Sequence, residues 1–243
     1  MTSSMPTTSD NQNQTCFVCG FPLEYLDKEE EMTCSICKKT FLSNVKCAMG
    51  HYVCDKCYAA PSLSIVRSVC LHTDSKDPFA IVNKIMDSET IPVNGPEHHI
   101  ITGAALLTAY KNAGGKLDLP TALVSMEHRG KIIPAGFCGL AGTCGAAVSA
   151  GIFLSIALKT TPLSEKNWGL GMLLTGECLT KIGAFDGPRC CKRDTYIAMQ
   201  TTVEFVAKHF GINMTMPEKI ICDYSGRMRE CLLEECPFHP MNS

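Results

Sequence analysis

Four ligand pairs, Cys16-x2-Cys19, Cys34-x2-Cys37, Cys47-x3-His51 and Cys54-x2-Cys57, follow one another between residues 16 and 57. A C-x2-C turn aims two thiolates at one point, and two such pairs complete a tetrahedron. Donors arranged in this way predict two zinc sites. The stretch is short of aliphatic residues and cannot bury enough surface to fold unaided, so metal binding would supply the missing free energy. Sequential pairing puts Cys16, Cys19, Cys34 and Cys37 at a ribbon-like site and Cys47, His51, Cys54 and Cys57 at the other. Alternating pairing gives a cross-brace with the same ligands.

The rest of the chain must then account for the remaining thiols, since the 243 residues hold 16 cysteines. A secreted disulfide scaffold is one reading. It is disfavoured because Met1 to Thr15 is rich in Ser, Thr, Asn and Gln, with no apolar leader, and reads as a disordered tail. Thiolates bound to metal in a reducing cytoplasm fit better. The formal charge of −2 shows no basic stripe of the kind nucleic-acid binders carry. From Ile132 to Leu158 no residue is charged. Pro134 and the glycines at 136, 139, 142 and 145 break that stretch, leaving a helix from about Thr143 to Leu158 that suits a core better than a bilayer.

The expected organisation is a disordered tail at 1–15, a zinc-binding module at 16–60, an all-α domain at 61–215 and a Cys-rich C-terminal segment at 216–243. Ala59 to Ser62 reads as the junction. Helices are expected at Ser64–Leu71, Pro78–Ser88, Leu119–Gly130 and Thr143–Leu158, and from Asn94-Gly95-Pro96 to a stop at Gly114-Gly115. Two more run from Ser164 to Ile182 and from Asp194 to Phe210, with Ser164 and Asp194 as caps. Ile220–Tyr224 reads as a short strand.

A second cysteine set lies in the helical region. Cys138 and Cys144 sit in "GFCGLAGTCGAAVSAG", and Cys190 and Cys191 in "GPRCCKRD". Cys144 opens a helix, and Cys190 and Cys191 stand among Arg189, Lys192 and Arg193 before another. Both settings favour a thiolate. His98 and His99 in "PEHH" are candidate partners, though adjacent helical residues diverge by about 100° and only one readily faces a shared site. Glu97 reads as a first-turn acid. Cys222, Cys231, Cys236 and His239 could form a third closed metal site, or be thiols of a tail packed on the helical core.

The run from Cys34 to Cys57 resembles the first six ligands of a RING finger, and "CAMGHYVCDKC" is similar to the seven-in-absentia type. The final pair of a RING is absent downstream, but Cys16 and Cys19 can supply it from upstream, so the cross-brace is slightly favoured. Residues from about 34 to 240 resemble an uncharacterised family of methanogenic archaea and other anaerobes, through "GPEHH", "AALLTAYKNAGGK", "GFCG", "CGAA", "GPRCCKRD" and a closing "CP". The helical domain is more loosely similar to putative redox-active proteins named for a C, GCAxxG, C, C pattern. Here the glycine spacing around Cys144 differs, and His98 or His99 stands where that pattern has its first cysteine.

These resemblances imply a cysteine-rich metalloprotein for redox or iron–sulfur chemistry, or for sulfur handling, as an accessory to anaerobic one-carbon metabolism with a protein partner for electron or sulfur transfer. Cys138, Cys144, Cys190, Cys191, His98 and His99 would bind its cofactor. Two alternatives stand beside it. One is a thiolate enzyme with Cys144 or Cys190 as nucleophile and a histidine base. The other is a zinc-dependent scaffold or RING-like partner-binding protein.

Overall fold

A computed structural model describes residues 16, 18–19, 21–228 and 230–242; the expected disordered tail lies outside them. The chain divides into two compact units, 1–61 and 62–243.

Unit 1 is an antiparallel hairpin followed by the start of a helix. Strand β1, Leu23–Thr33, pairs with β2, Thr40–Cys47, from Thr33 opposite Thr40 to Leu23 opposite Cys47, with an irregularity between Tyr25 and Glu30. The acidic run of β1 points to solvent, and Glu30 meets Lys46 at 3.5 Å. Two isolated strands are marginal in water. What closes this pair is the Cys34–Cys37 turn, where the Cys34 N–H donates to the Lys39 carbonyl at 2.9 Å and Lys38 takes a left-handed φ of 61°. Among the described residues, the apolar side chains buried in this unit are Met32 and the cysteines 16, 34, 47 and 54. A core made almost wholly of thiols cannot hold a fold by hydrophobic burial.

Helix α1, Asp55–Leu71, runs through the expected junction and contains Pro61. In unit 2 it leads to α2 (Pro78–Met86), α3 (His98–Asn112), α4 (Leu119–Gly130), α5 (Phe137–Ala141), α6 (Gly145–Leu158), α7 (Trp168–Ile182) and α8 (Cys191–Phe210). Helices α3 and α6 form the centre: α3 packs on α2, α4, α6 and α8, and α6 also packs on α4, α7 and α8. Within the uncharged stretch α6 is therefore a largely buried helix, while Ile132 and Leu140 before it are exposed, and no helix among the described residues is long and apolar enough to cross a membrane. Close approach at the centre rests on a missing side chain. The Gly103 N–H donates to Ser149 Oγ at 2.9 Å, and a Cβ at 103 would collide with Met126.

Besides the hairpin and the earlier start of α1, at Asp55 rather than Ser64, three details differ from expectation. Helix α7 starts at Trp168, because Ser164 is used in a local turn where its hydroxyl accepts the Thr161 N–H at 2.9 Å. Helix α8 starts three residues before Asp194, capped by Cys190. Ile220–Tyr224 is not a strand; the Cys222 N–H donates to the Phe238 carbonyl at 2.7 Å, and the C-terminal segment folds onto the core with Cys222, Tyr224, Cys236 and Phe238 buried.

Candidate metal centres

Alternating pairs meet in unit 1. The donor atoms of Cys16, Cys19, Cys47 and His51 all lie within 4.8 Å of one another, as do those of Cys34, Cys37, Cys54 and Cys57. The arrangement is the cross-brace. Each pair is held by its own local element. Cys34 and Cys37 sit on the hairpin turn. Cys47 ends β2, and Gly50, at a φ of 82°, turns the chain back so that the Cys47 N–H reaches the His51 carbonyl at 2.8 Å. Cys54 precedes α1 and Cys57 lies in its first turn, where unpaired N–H groups favour negative charge.

The spacing suits one ion per site. Zinc–sulfur bonds of about 2.3 Å in a tetrahedron set sulfurs about 3.8 Å apart. Cys19 and Cys47 Sγ are 3.5 Å apart and Cys37 and Cys54 Sγ 3.7 Å, while His51 Nδ1 stands 3.3 Å from Cys19 Sγ. Burial pushes the Cys34 thiol up, but the N–H groups of Cys54, Cys37 and Ile36 outweigh it and hold the pKa at about 6. Cys57 goes the other way, pushed up to about 12 by burial and by Cys54, Cys37 and Cys34. A divalent cation relieves that crowding of negative charge, so the residues fit zinc.

In unit 2 the start of α8 gathers thiols, but not as a single cluster. Cys144, before α6, donates from Sγ to Asp194 Oδ2 at 3.6 Å, and Asp194 also accepts from Arg193 Nε at 3.1 Å. The His99 ring packs where a Cβ at Gly145 would stand, which places it beside Cys144. Cys191 turns toward the Gly95 carbonyl, 4.0 Å away, and has Cys138 for a neighbour. Cys190 faces the other way and lines a small cavity with Cys222, Cys231, Cys236 and His239. Adjacent residues at a helix start diverge, so the vicinal pair serves two sides. Glu97, buried just before α3, folds its carboxylate back over Gly95.

The helix starts do not leave these thiols ionised. Burial pushes Cys144 up to about 12, with Asp194 adding to it, and pushes Cys190 up to about 11; Cys191 is raised by burial as well. The N–H groups of Ala146 and Ala147 at Cys144, and of Arg193 and Lys192 at Cys190, act in the expected direction but are too weak against desolvation.

The comparison with protein families places residues 66–239 in the family of unknown function DUF5714. The chain belongs to that family. No curated protein and no solved structure matches it. The DUF5714 region thus spans the helical core, the vicinal cysteines and the C-terminal thiols, and leaves out the two candidate metal sites of unit 1.

Within the DUF5714 region the two histidines part. His99 Nδ1 is 3.3 Å from the Ile133 carbonyl, and burial lowers its pKa. His98 is fully buried; its Nδ1 is 3.2 Å from the Gly95 carbonyl and its Nε2 has no hydrogen-bond partner. Burial, helped by the charge of Lys192, pushes the His98 pKa down to about 3. The unfolded chain therefore takes up a proton near pH 6.5 that the fold refuses. The resulting stability is complete above that pH and falls as pH drops from 6.5 toward 3, by up to about 1.4 kcal/mol per unit. Urea unfolding at pH 7.5 and 5.0 should show a smaller pH dependence for His98→Gln than for the natural chain. Equal slopes would mean that His98 is protonated in the fold.

Sequence reasoning missed the joining of Cys190 with the C-terminal thiols. Nothing local signals it, because the partners are brought together by the chain's return over α8.

Proposed function

We propose that the chain is a metalloprotein carrying two structural zinc ions in unit 1 and an iron–sulfur or sulfur-handling redox centre in unit 2. The observation that carries the second part is the gathering of Cys144, Cys190 and Cys191 around the first turn of one helix, with C-terminal thiols close by. Buried thiols at this density are stable when bound to metal, which takes the thiolate form outright. The thiolate-enzyme reading has weaker support. A nucleophile needs a low pKa and an available base. Cys144 is pushed up to about 12 beside an acid, and His98, lowered to about 3, is a weak base for taking a proton from such a thiol.

The test is purification of the full chain without oxygen, followed by zinc, iron and acid-labile sulfide analysis with a visible spectrum. Two zinc, together with iron, sulfide and an absorbance that bleaches on reduction, is the expected result. Colourless protein with two zinc and no iron, from a host shown to load clusters, would reject the redox centre.

A further inference from the structure

We propose that Cys190, Cys222, Cys231 and Cys236 together hold an iron–sulfur cluster, the C-terminal segment supplying three ligands and the first turn of α8 the fourth. This rests on the metal–sulfur reading of unit 2 and names a ligand set different from the Cys138, Cys144, Cys190 and Cys191 grouping that the sequence suggests.

The four thiols line one cavity of about 20 Å³, with Arg193 and His239 also on its wall. Each sulfur faces a backbone N–H a short way along the chain. The Arg193 N–H donates to Cys190 Sγ at 3.4 Å and the Leu233 N–H to Cys231 Sγ at 3.4 Å. The Tyr224 N–H serves Cys222, and those of Phe238 and His239 serve Cys236. The same device holds the ligands of unit 1, where Val18 N–H reaches Cys16 Sγ at 3.4 Å and Met49 N–H reaches Cys47 Sγ at 3.2 Å. Hydrogen bonds to sulfur favour a thiolate and tune a cluster. A core thiol behaves otherwise: Cys178 is a donor, to the Ala198 carbonyl at 3.8 Å.

The C-terminal thiols are not gathered as tightly as the donors of unit 1. Among the described residues, no three donor atoms of the C-terminal set come within 4.8 Å of one another, as those of unit 1 do. Thiolates around a multi-iron core stand farther apart than those around one zinc. Charge points the same way. A cluster with four thiolates is net negative, and both Lys192 and Arg193 are buried here. Arg193 has Asp194 as its partner. Lys192 makes no ion pair with a carboxylate among the described residues; its ammonium lies 4.4 Å from the centre of the Tyr224 ring, with Cys190, Cys191 and Cys222 around it. A buried ammonium calls for a negative partner. The segment that brings the ligands is pinned independently, since Phe238 packs edge-on against Tyr196 at 5.4 Å between ring centres.

The experiment measures iron, sulfide and zinc in anaerobically purified full-length variants. Cys190→Ser, Cys222→Ser, Cys231→Ser and Cys236→Ser should each lower iron and sulfide at least tenfold and leave zinc unchanged. Cys138→Ser, Cys144→Ser and Cys178→Ser should keep both. Loss of iron in Cys138→Ser or Cys144→Ser, with retention in the C-terminal variants, overturns this ligand set while leaving the metal–sulfur reading standing. A natural chain without iron, or with a third zinc in its place, overturns both. Should a variant fail to fold, thiol alkylation of the natural chain decides: Cys190, Cys222, Cys231 and Cys236 should label only after the cluster is stripped. Unchanged labelling there overturns the proposal.

Discussion

Stripping the metal from unit 1 should unfold it while the helices of unit 2 remain. With Met32 as the one buried apolar side chain of unit 1, among the described residues, that is not a cysteine, little remains to hold the hairpin once the thiols repel each other. Structural zinc contributes about 10–16 kcal/mol of apparent binding free energy in small modules, far more than a two-stranded ribbon can supply. A strong chelator at neutral pH, or Cys34→Ser, should collapse the dispersed amide resonances of β1 and β2. The helical circular dichroism should fall only slightly, by the first turns of α1. Cys34 is the sharper choice because it is fully buried and its sulfur accepts the Cys54 N–H at 3.4 Å, linking the hairpin turn to the helix start. Retention of the β1–β2 resonances after complete metal removal would show that the module folds on its own.

Phe153→Ala should be the most damaging single change in unit 2. The ring is fully buried on α6 and meets Tyr110 of α3 edge-to-face, 5.6 Å between centres. It thus joins the two central helices alongside the Gly103–Ser149 hydrogen bond. Truncating such a ring removes its transfer free energy and leaves a cavity, a loss of about 3–5 kcal/mol. Urea denaturation followed by circular dichroism should show an earlier midpoint with an unchanged slope. Leu140→Ala, at a side chain 84% exposed, should move it by less than about 0.5 kcal/mol. A Phe153→Ala protein as stable as the natural chain would mean that α3 and α6 are not the centre of the core.

How much of this was readable in advance depends on how local the cause is. The eight candidate donors of unit 1 were legible because each pair is a turn within a few residues. Their alternating use was not decided by spacing alone, since either pairing satisfies a tetrahedron. The hairpin left no trace in the sequence: β1 carries Glu29, Glu30 and Glu31 with no alternating apolar face, and what closes it is the Cys34–Cys37 turn rather than a buried face. Helices α3 and α6 were legible from their apolar and small residues and their stops. The start of α8 was misplaced because Asp194, a good cap by type, spends its carboxylate on Arg193 and Cys144, and a cysteine caps in its stead. Grouping Cys190 with Cys191, Cys144 and Cys138 did not foresee the cavity that Cys190 shares with the C-terminal thiols, for a geometric reason. Two neighbours at a helix start point apart, and the partners of Cys190 return from more than thirty residues downstream.

The central claim is that this DUF5714 chain carries metal in both units, and native mass spectrometry of the anaerobically purified full chain tests it directly. The account predicts a folded species heavier than the polypeptide by two zinc ions plus an iron–sulfur cluster, with the zinc persisting when the cluster is removed by oxidation. A folded species at the bare polypeptide mass, or one that carries the two zinc ions alone, would contradict it.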